Sequence, residues 1–165
     1  MSGQHRLHFI NADDGTFTEQ ASMLGVADTG YGRAILCFDS DDDGDLDILV
    51  NNSNGPSRFF LNNLENSNHY IKIKLEQDGS NRDAIGAKIS LTAGGVSQLR
   101  LVLAGANFES SHPTTQHFGL GSHSNIDSLT ITWPDGEQNS YFNLTADQTL
   151  LLHKVSERVF DDGFE

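Results

Sequence analysis

The chain has 165 residues, 36 % of them hydrophobic, one cysteine and a formal charge of −13 at pH 7, with a sequence pI near 4.7. That length suits one domain or two small ones, and that charge argues against nucleic acid and anionic membrane surfaces while favouring cations. The lone thiol, Cys37, excludes an internal disulfide and a cysteine-based zinc site, and no apolar run approaches the roughly 18 residues that a membrane span needs.

Met1-Ser2-Gly3-Gln4-His5-Arg6 is no signal peptide, so either the protein is cytosolic or the sequence is a piece of a longer chain that is secreted or held at the cell surface, and an internal echo favours the piece. Arg6-Leu7-His8-Phe9-Ile10-Asn11 is echoed by Arg58-Phe59-Phe60-Leu61-Asn62-Asn63, 52 residues on, close to the length of a propeller blade. Between the echoes stand a hairpin-like turn over 11–17, the stretch Met23-Leu24-Gly25-Val26, a strand ending at Phe38 and another over 46–51. Cys37, in Ala34-Ile35-Leu36-Cys37-Phe38, reads as a buried strand thiol.

The two strands are joined by Asp39-Ser40-Asp41-Asp42-Asp43-Gly44-Asp45-Leu46-Asp47, six carboxylates in nine residues. Carboxylates at that density repel one another unless a hard cation neutralises them. Asp39, Asp41 and Asp43, with glycine sixth to permit a sharp turn, reproduce the first half of a calcium loop. The ninth position is Asp47, but the twelfth, where a helical EF-hand needs a bidentate Glu, is Val50, and a strand follows. The reading is Ca2+ in a β setting, held by the side chains of Asp39, Asp41, Asp43 and Asp47 and by the backbone carbonyl of Asp45, with Asp42 turned outward. A plain solvated turn also favours Asp and Gly, but it needs only one or two of them.

Farther along, His69-Tyr70-Ile71-Lys72-Ile73-Lys74-Leu75, Ala87-Lys88-Ile89-Ser90-Leu91 and Ser128-Leu129-Thr130-Ile131-Thr132-Trp133 alternate apolar and polar residues. Two further strands are expected in 99–103 and 149–152. Trp133 falls in phase with the apolar positions 129 and 131, which makes it a core residue. His112, His117 and His123 lie within twelve residues but match no zinc spacing, and His117 is expected to pack the His-Phe-Gly-Leu-Gly turn. No Gly-x-Ser-x-Gly elbow or other nucleophile context is present, which argues against an enzyme.

Gly15-Thr16-Phe17-Thr18-Glu19, Gly32-Arg33-Ala34, the Asp39 to Asp47 loop and Asn54-Gly55-Pro56-Ser57-Arg58 together resemble the FG-GAP/VCBS repeat of integrin-like β-propellers. Asn81-Arg82-Asp83-Ala84-Ile85-Gly86-Ala87-Lys88-Ile89, His117-Phe118-Gly119-Leu120-Gly121 and Ile131-Thr132-Trp133-Pro134-Asp135-Gly136 resemble the three signature blocks of the ASPIC/UnbV domain, with Ala84 where glycine is usual. That domain follows such repeats in bacterial secreted proteins and in a cartilage protein. The resemblance implies a calcium-bearing extracellular scaffold without established catalysis.

The expected fold is therefore all-β, a partial propeller-blade-like repeat packed on a β-sandwich or small barrel. The repeat would occupy 1–66, the ASPIC/UnbV-like domain 67–156, and a C-terminal tail, resembling the Asp-Gly-Phe-Glu ends of some secreted bacterial proteins, 157–165. The expected function is non-catalytic adhesion, recognition or scaffolding with a protein or glycan partner at the cell surface. The alternative is a calcium-dependent carbohydrate-binding module, with Tyr31, Phe59 and Phe60 as the nearest aromatics. A lone blade would leave apolar faces at Ile35, Cys37, Ile48, Val50, Phe59 and Leu61, which a homodimer would cover.

Overall fold

The structure, a computed structural model, describes residues 7–12, 14–63, 67–105 and 107–154. The tail at 157–165 and Arg6 lie outside them. The described chain is all-β, with twelve strands and no helix among the described residues. No helix in it is long and apolar enough to cross a membrane. The chain divides into two compact units, Met1–Leu64 with Gly105–His112, and Glu65–Ala104 with Pro113–Glu165.

The first unit opens with β1 (Phe9–Asn11) and β2 (Phe17–Glu19), an antiparallel hairpin. Gly15 takes a φ of 87° in its turn, where Asp14 Oδ1 also accepts the Thr16 N–H at 2.9 Å. The hairpin thus falls where the turn residues place it. Met23 to Val26 is no strand: Leu24 N–H donates to the Gln20 carbonyl and Val26 N–H to the Ala21 carbonyl, which winds the chain into tight turns.

β3 (Gly32–Phe38), β4 (Asp47–Asn52) and β5 (Arg58–Phe60) follow as an antiparallel sheet in the order β3-β4-β5. Its register pairs Ile35 with Val50 and Cys37 with Ile48. The apolar positions expected on the faces of a lone blade differ in burial. Val50 is 4 % exposed, but Ile35, Phe59 and Leu61 are 44, 49 and 44 % exposed. Cys37 is half-buried, and burial raises its thiol pKa. The echo of 6–11 in 58–63 has no structural counterpart, because β1 covers the second half of one segment and β5 the first half of the other.

The second unit is a two-sheet sandwich. One sheet has the order β11-β10-β7-β8, from β7 (Lys88–Ala93), β8 (Val96–Leu101), β10 (Asn125–Thr132) and β11 (Gln138–Thr145). The other has the order β12-β6-β9, from β6 (His69–Gln77), β9 (Gln116–Gly121) and β12 (Gln148–Lys154). Inward residues of both sheets form one core: Ile71, Ile73, Leu75, Phe118 and Leu120 from the second, Ile89, Leu91, Leu129 and Ile131 from the first. Trp133 joins it at 2 % exposure, as its phase with 129 and 131 requires, and its indole N–H donates to Asn139.

Three local features depart from simple alternation. β12 pairs with β6 in parallel, Leu150 beside Ile73, so the last strand lies along the first strand of its unit. In β8 the expected leucines face outward: Gln98 and Arg100 pair with Leu91 and Ile89 on the inward side, whereas Leu99 and Leu101 are 58 and 45 % exposed. Arg100 lays its guanidinium 5.1 Å from the Phe118 ring centroid, and Gln98 donates to the Gly119 carbonyl at 2.7 Å, so both polar ends have partners. The His-Phe-Gly-Leu-Gly block is strand β9 rather than a turn, and His117 stacks on Tyr70 across the strand pair, 5.8 Å between centroids.

The other two signature blocks are turns with explicit closures. Asn81 clamps Ile85 from both sides, its amide donating to the Ile85 carbonyl and accepting the Ile85 N–H, each at 2.9 Å. Ala84 sits there with a φ of 50°, the left-handed region that glycine occupies at no steric cost. In Trp133-Pro134-Asp135-Gly136, Trp133 N–H donates to the Glu137 carbonyl at 2.8 Å, while Lys154 from β12 bridges Asp135 and Glu137. That bridge lowers the Asp135 pKa and raises that of Lys154.

Candidate metal centre

The loop from Asp39 to Leu46 begins where β3 ends and closes where β4 begins, so two paired strands fix both of its ends. Phe38 pairs with Asp47 at its base. Within that frame the chain reverses sharply, with φ of 62° at Asp42 and 98° at Gly44, and glycine at the second position relieves part of the strain.

Side chains brace the loop from inside. Asp39 Oδ2 accepts the Gly44 N–H at 3.1 Å and Asp43 Oδ1 accepts the Asp45 N–H at 3.0 Å. One carboxylate oxygen each from Asp39, Asp41 and Asp43 converge within 4.8 Å of one another. Among the described residues this is the only such grouping of His, Cys, Asp and Glu side chains. His112 belongs to the first unit, and His117 and His123 to the second.

Asp47 has a different environment from the other acids. It is 1 % exposed, accepts the Ser40 N–H and hydroxyl on Oδ2, and accepts the Asn62 N–H on Oδ1 at 2.8 Å. Burial pushes its pKa up, but the bonds from Ser40 and Asn62 together outweigh that and hold it below the ordinary carboxylate range. The carboxylate therefore ties the start of the loop to the segment after β5. Sequence spacing expects Asp47 as a fourth side-chain ligand, whereas the fold leaves it outside the converging Asp39, Asp41 and Asp43 and engages it with Ser40 and Asn62.

Asp45 is the residue that sequence reasoning treated least fully. The expectation used its backbone carbonyl, yet its side chain lies among the other acids. Burial, then the charges of Asp43, Asp47, Asp41 and Asp39, push its pKa from 3.8 to about 6. Its Oδ1 atom is buried and takes no hydrogen bond among the described residues. A buried, desolvated carboxylate oxygen facing four like charges is an acceptor awaiting a cation or a proton. Asp42 is exposed and outside the converging trio. Hard carboxylate oxygens with no nitrogen or sulfur suit Ca2+ or Mg2+ and not the softer transition metals.

The raised Asp45 pKa has a signed consequence. Between 3.8 and about 6 the folded state holds a proton that the unfolded chain has released, so metal-free protein loses stability as pH rises through that window. Melting in chelator at pH 4.5 and 6.5 should show the wild type losing more stability between the two than Asp45→Asn. Equal losses would mean that the carboxyl is solvated.

Comparison with known proteins adds a family to this geometry. The chain matches 41 to 46 % of residues over 54 positions with cartilage acidic protein 1: 46 % in Xenopus tropicalis, 43 % in Homo sapiens and 41 % in Mus musculus. Those matches cover 32 % of this chain and 8 % of each relative, so it spans only a small part of their length. Residues 77–159, just over half of the chain, match the family model of ASPIC and UnbV. With the Asn81, His117 and Trp133 blocks placed in one sandwich, the chain belongs to the ASPIC and UnbV family.

Proposed function

We propose that the first unit is a calcium-binding repeat of the FG-GAP/VCBS type in a non-catalytic adhesion or scaffolding protein outside the cell. The observation that carries this is the convergence of Asp39, Asp41 and Asp43, with the buried Asp45 oxygen beside them. Asp41 and Asp43 are exposed. A loop this open suits the weak affinities, about 10⁻⁴ to 10⁻³ M, of extracellular calcium modules, and would stay empty at cytosolic calcium levels. The relatives' name, cartilage acidic protein 1, supports the same compartment.

Calorimetric titration with calcium separates the residues. Asp43→Ala and Asp41→Ala should weaken binding roughly tenfold or more, because each removes a ligand oxygen and a charge, whereas Asp42→Ala should change it little. Equal losses at 42 and 43 would reduce the loop to an undifferentiated acidic turn. A second reading, calcium-dependent carbohydrate binding, draws on the exposed rings of Tyr31 and Phe59, 53 and 49 % accessible. It requires a glycan to bind in calcium and dissociate in chelator.

A further inference from the structure

β3 is an edge strand, so the backbone groups along its side away from β4 have no strand partner in its sheet. The segment Gly105–His112, part of the same unit although it lies between β8 and β9 in sequence, supplies partners from side chains. Asn107 Nδ2 and Ser110 Oγ donate to the Ile35 carbonyl at 2.9 and 3.2 Å. The Cys37 N–H donates to His112 Nδ1 at 3.3 Å, and the Asn107 amide lies 2.9 Å from the other ring nitrogen. The Arg33 guanidinium sits 5.7 Å from the Phe108 centroid. The gripped residues are 33, 35 and 37, alternate positions along one strand, and the next in that series is Asp39.

We infer that Asn107, Ser110 and His112 are positioning residues for the cation site, a latch that fixes the end of β3 and so sets where Asp39 stands. This inference rests on the cation-binding reading. Asp39 converges with Asp41 and Asp43 only while its backbone is held, and its Oδ2 also closes the loop onto Gly44. Coupling of this kind is reciprocal, so a bound cation tightens the latch by the factor with which the latch tightens the cation. It also explains why a connection in the middle of the family domain belongs structurally to the unit that precedes it.

The test is a calcium titration of the full chain with His112→Ala, Asn107→Ala and His112→Gln. None alters a carboxylate. Loss of one such bond should weaken calcium affinity by roughly three- to tenfold, and His112→Gln, which keeps an acceptor, should recover most of it. Amide exchange at Cys37, followed in chelator, reports the latch without calcium and should accelerate in His112→Ala. If that variant does not fold, Ser110→Ala, which removes one of two donors to the Ile35 carbonyl, gives the same comparison. Wild-type affinity in every variant, with Cys37 exchange accelerated, would overturn the positioning role while leaving the cation site intact. Absence of calcium uptake by the wild type would overturn both.

Discussion

In millimolar calcium the protein should melt well above its temperature in chelator. Four acids crowd Asp45, and without a cation their repulsion is relieved only by protonation or by opening the loop. A ligand that binds only the folded state stabilises it by RT ln(1 + [L]/Kd), about 1.4 kcal/mol at ten times Kd, which millimolar calcium reaches for a Kd of about 10⁻⁴ M. For a unit of this size that is a shift on the order of 10 °C. Magnesium, which sheds water reluctantly and requires tighter octahedral geometry, should give a much smaller shift. Coincident melting curves in calcium and chelator would sink the metal assignment.

A larger loss is expected in the second unit from Phe118→Ala. Phe118 is fully buried in β9, pairs with Ile71 across the strands and carries Arg100 over its ring. Its removal leaves a cavity in the core that both sheets share, worth about 3 to 5 kcal/mol. It also strips Arg100 of its aromatic partner. Against a typical domain stability of about 5 to 15 kcal/mol, that brings the sandwich close to unfolding. Urea denaturation followed by Trp133 fluorescence measures it, and a loss below about 1 kcal/mol would mean that the core is not centred on β9.

Alternation carried most of the second unit. The expected strands over 69–75, 87–91 and 128–133 are β6, β7 and β10, because one wet face and one dry face write a period of two into the sequence. β8 shows where that signal fails. Leu99 and Leu101 keep the period but point outward, since Arg100 finds a ring and Gln98 a carbonyl on the inward side. The parallel placement of β12 on β6 is invisible in either strand's own residues, which specify a face and not a neighbour. In the loop, spacing assigned Asp39, Asp41, Asp43 and Asp47 by side chain and Asp45 by its carbonyl, but it carried no sign of how the folded chain surrounds Asp45 and Asp47. The bracing of Asp47 by Ser40 and Asn62, and the burial of the Asp45 oxygen, depend on contacts that only the folded chain makes. The Gly105–His112 segment carried no periodic signal, being an irregular stretch whose partners lie in β3.

The parallel pairing of β12 with β6 has a consequence for how the chain is made. Tyr70 and Asp147, 77 positions apart, meet at the start of that pairing, and Asp147 is also held there by His69. During synthesis β6 leaves the ribosome early, and its β12 edge stays open until almost the last described residue has emerged. The strand pairings of the hairpin and of the β3-β4-β5 sheet lie within residues 9–60, although the Gly105–His112 segment that holds β3 emerges later, whereas the sandwich must wait for its final strand. Non-local pairing of this kind is slow and leaves an apolar edge exposed meanwhile. Nascent chains stalled before residue 148 should therefore engage holding chaperones, and release from them should coincide with the emergence of β12.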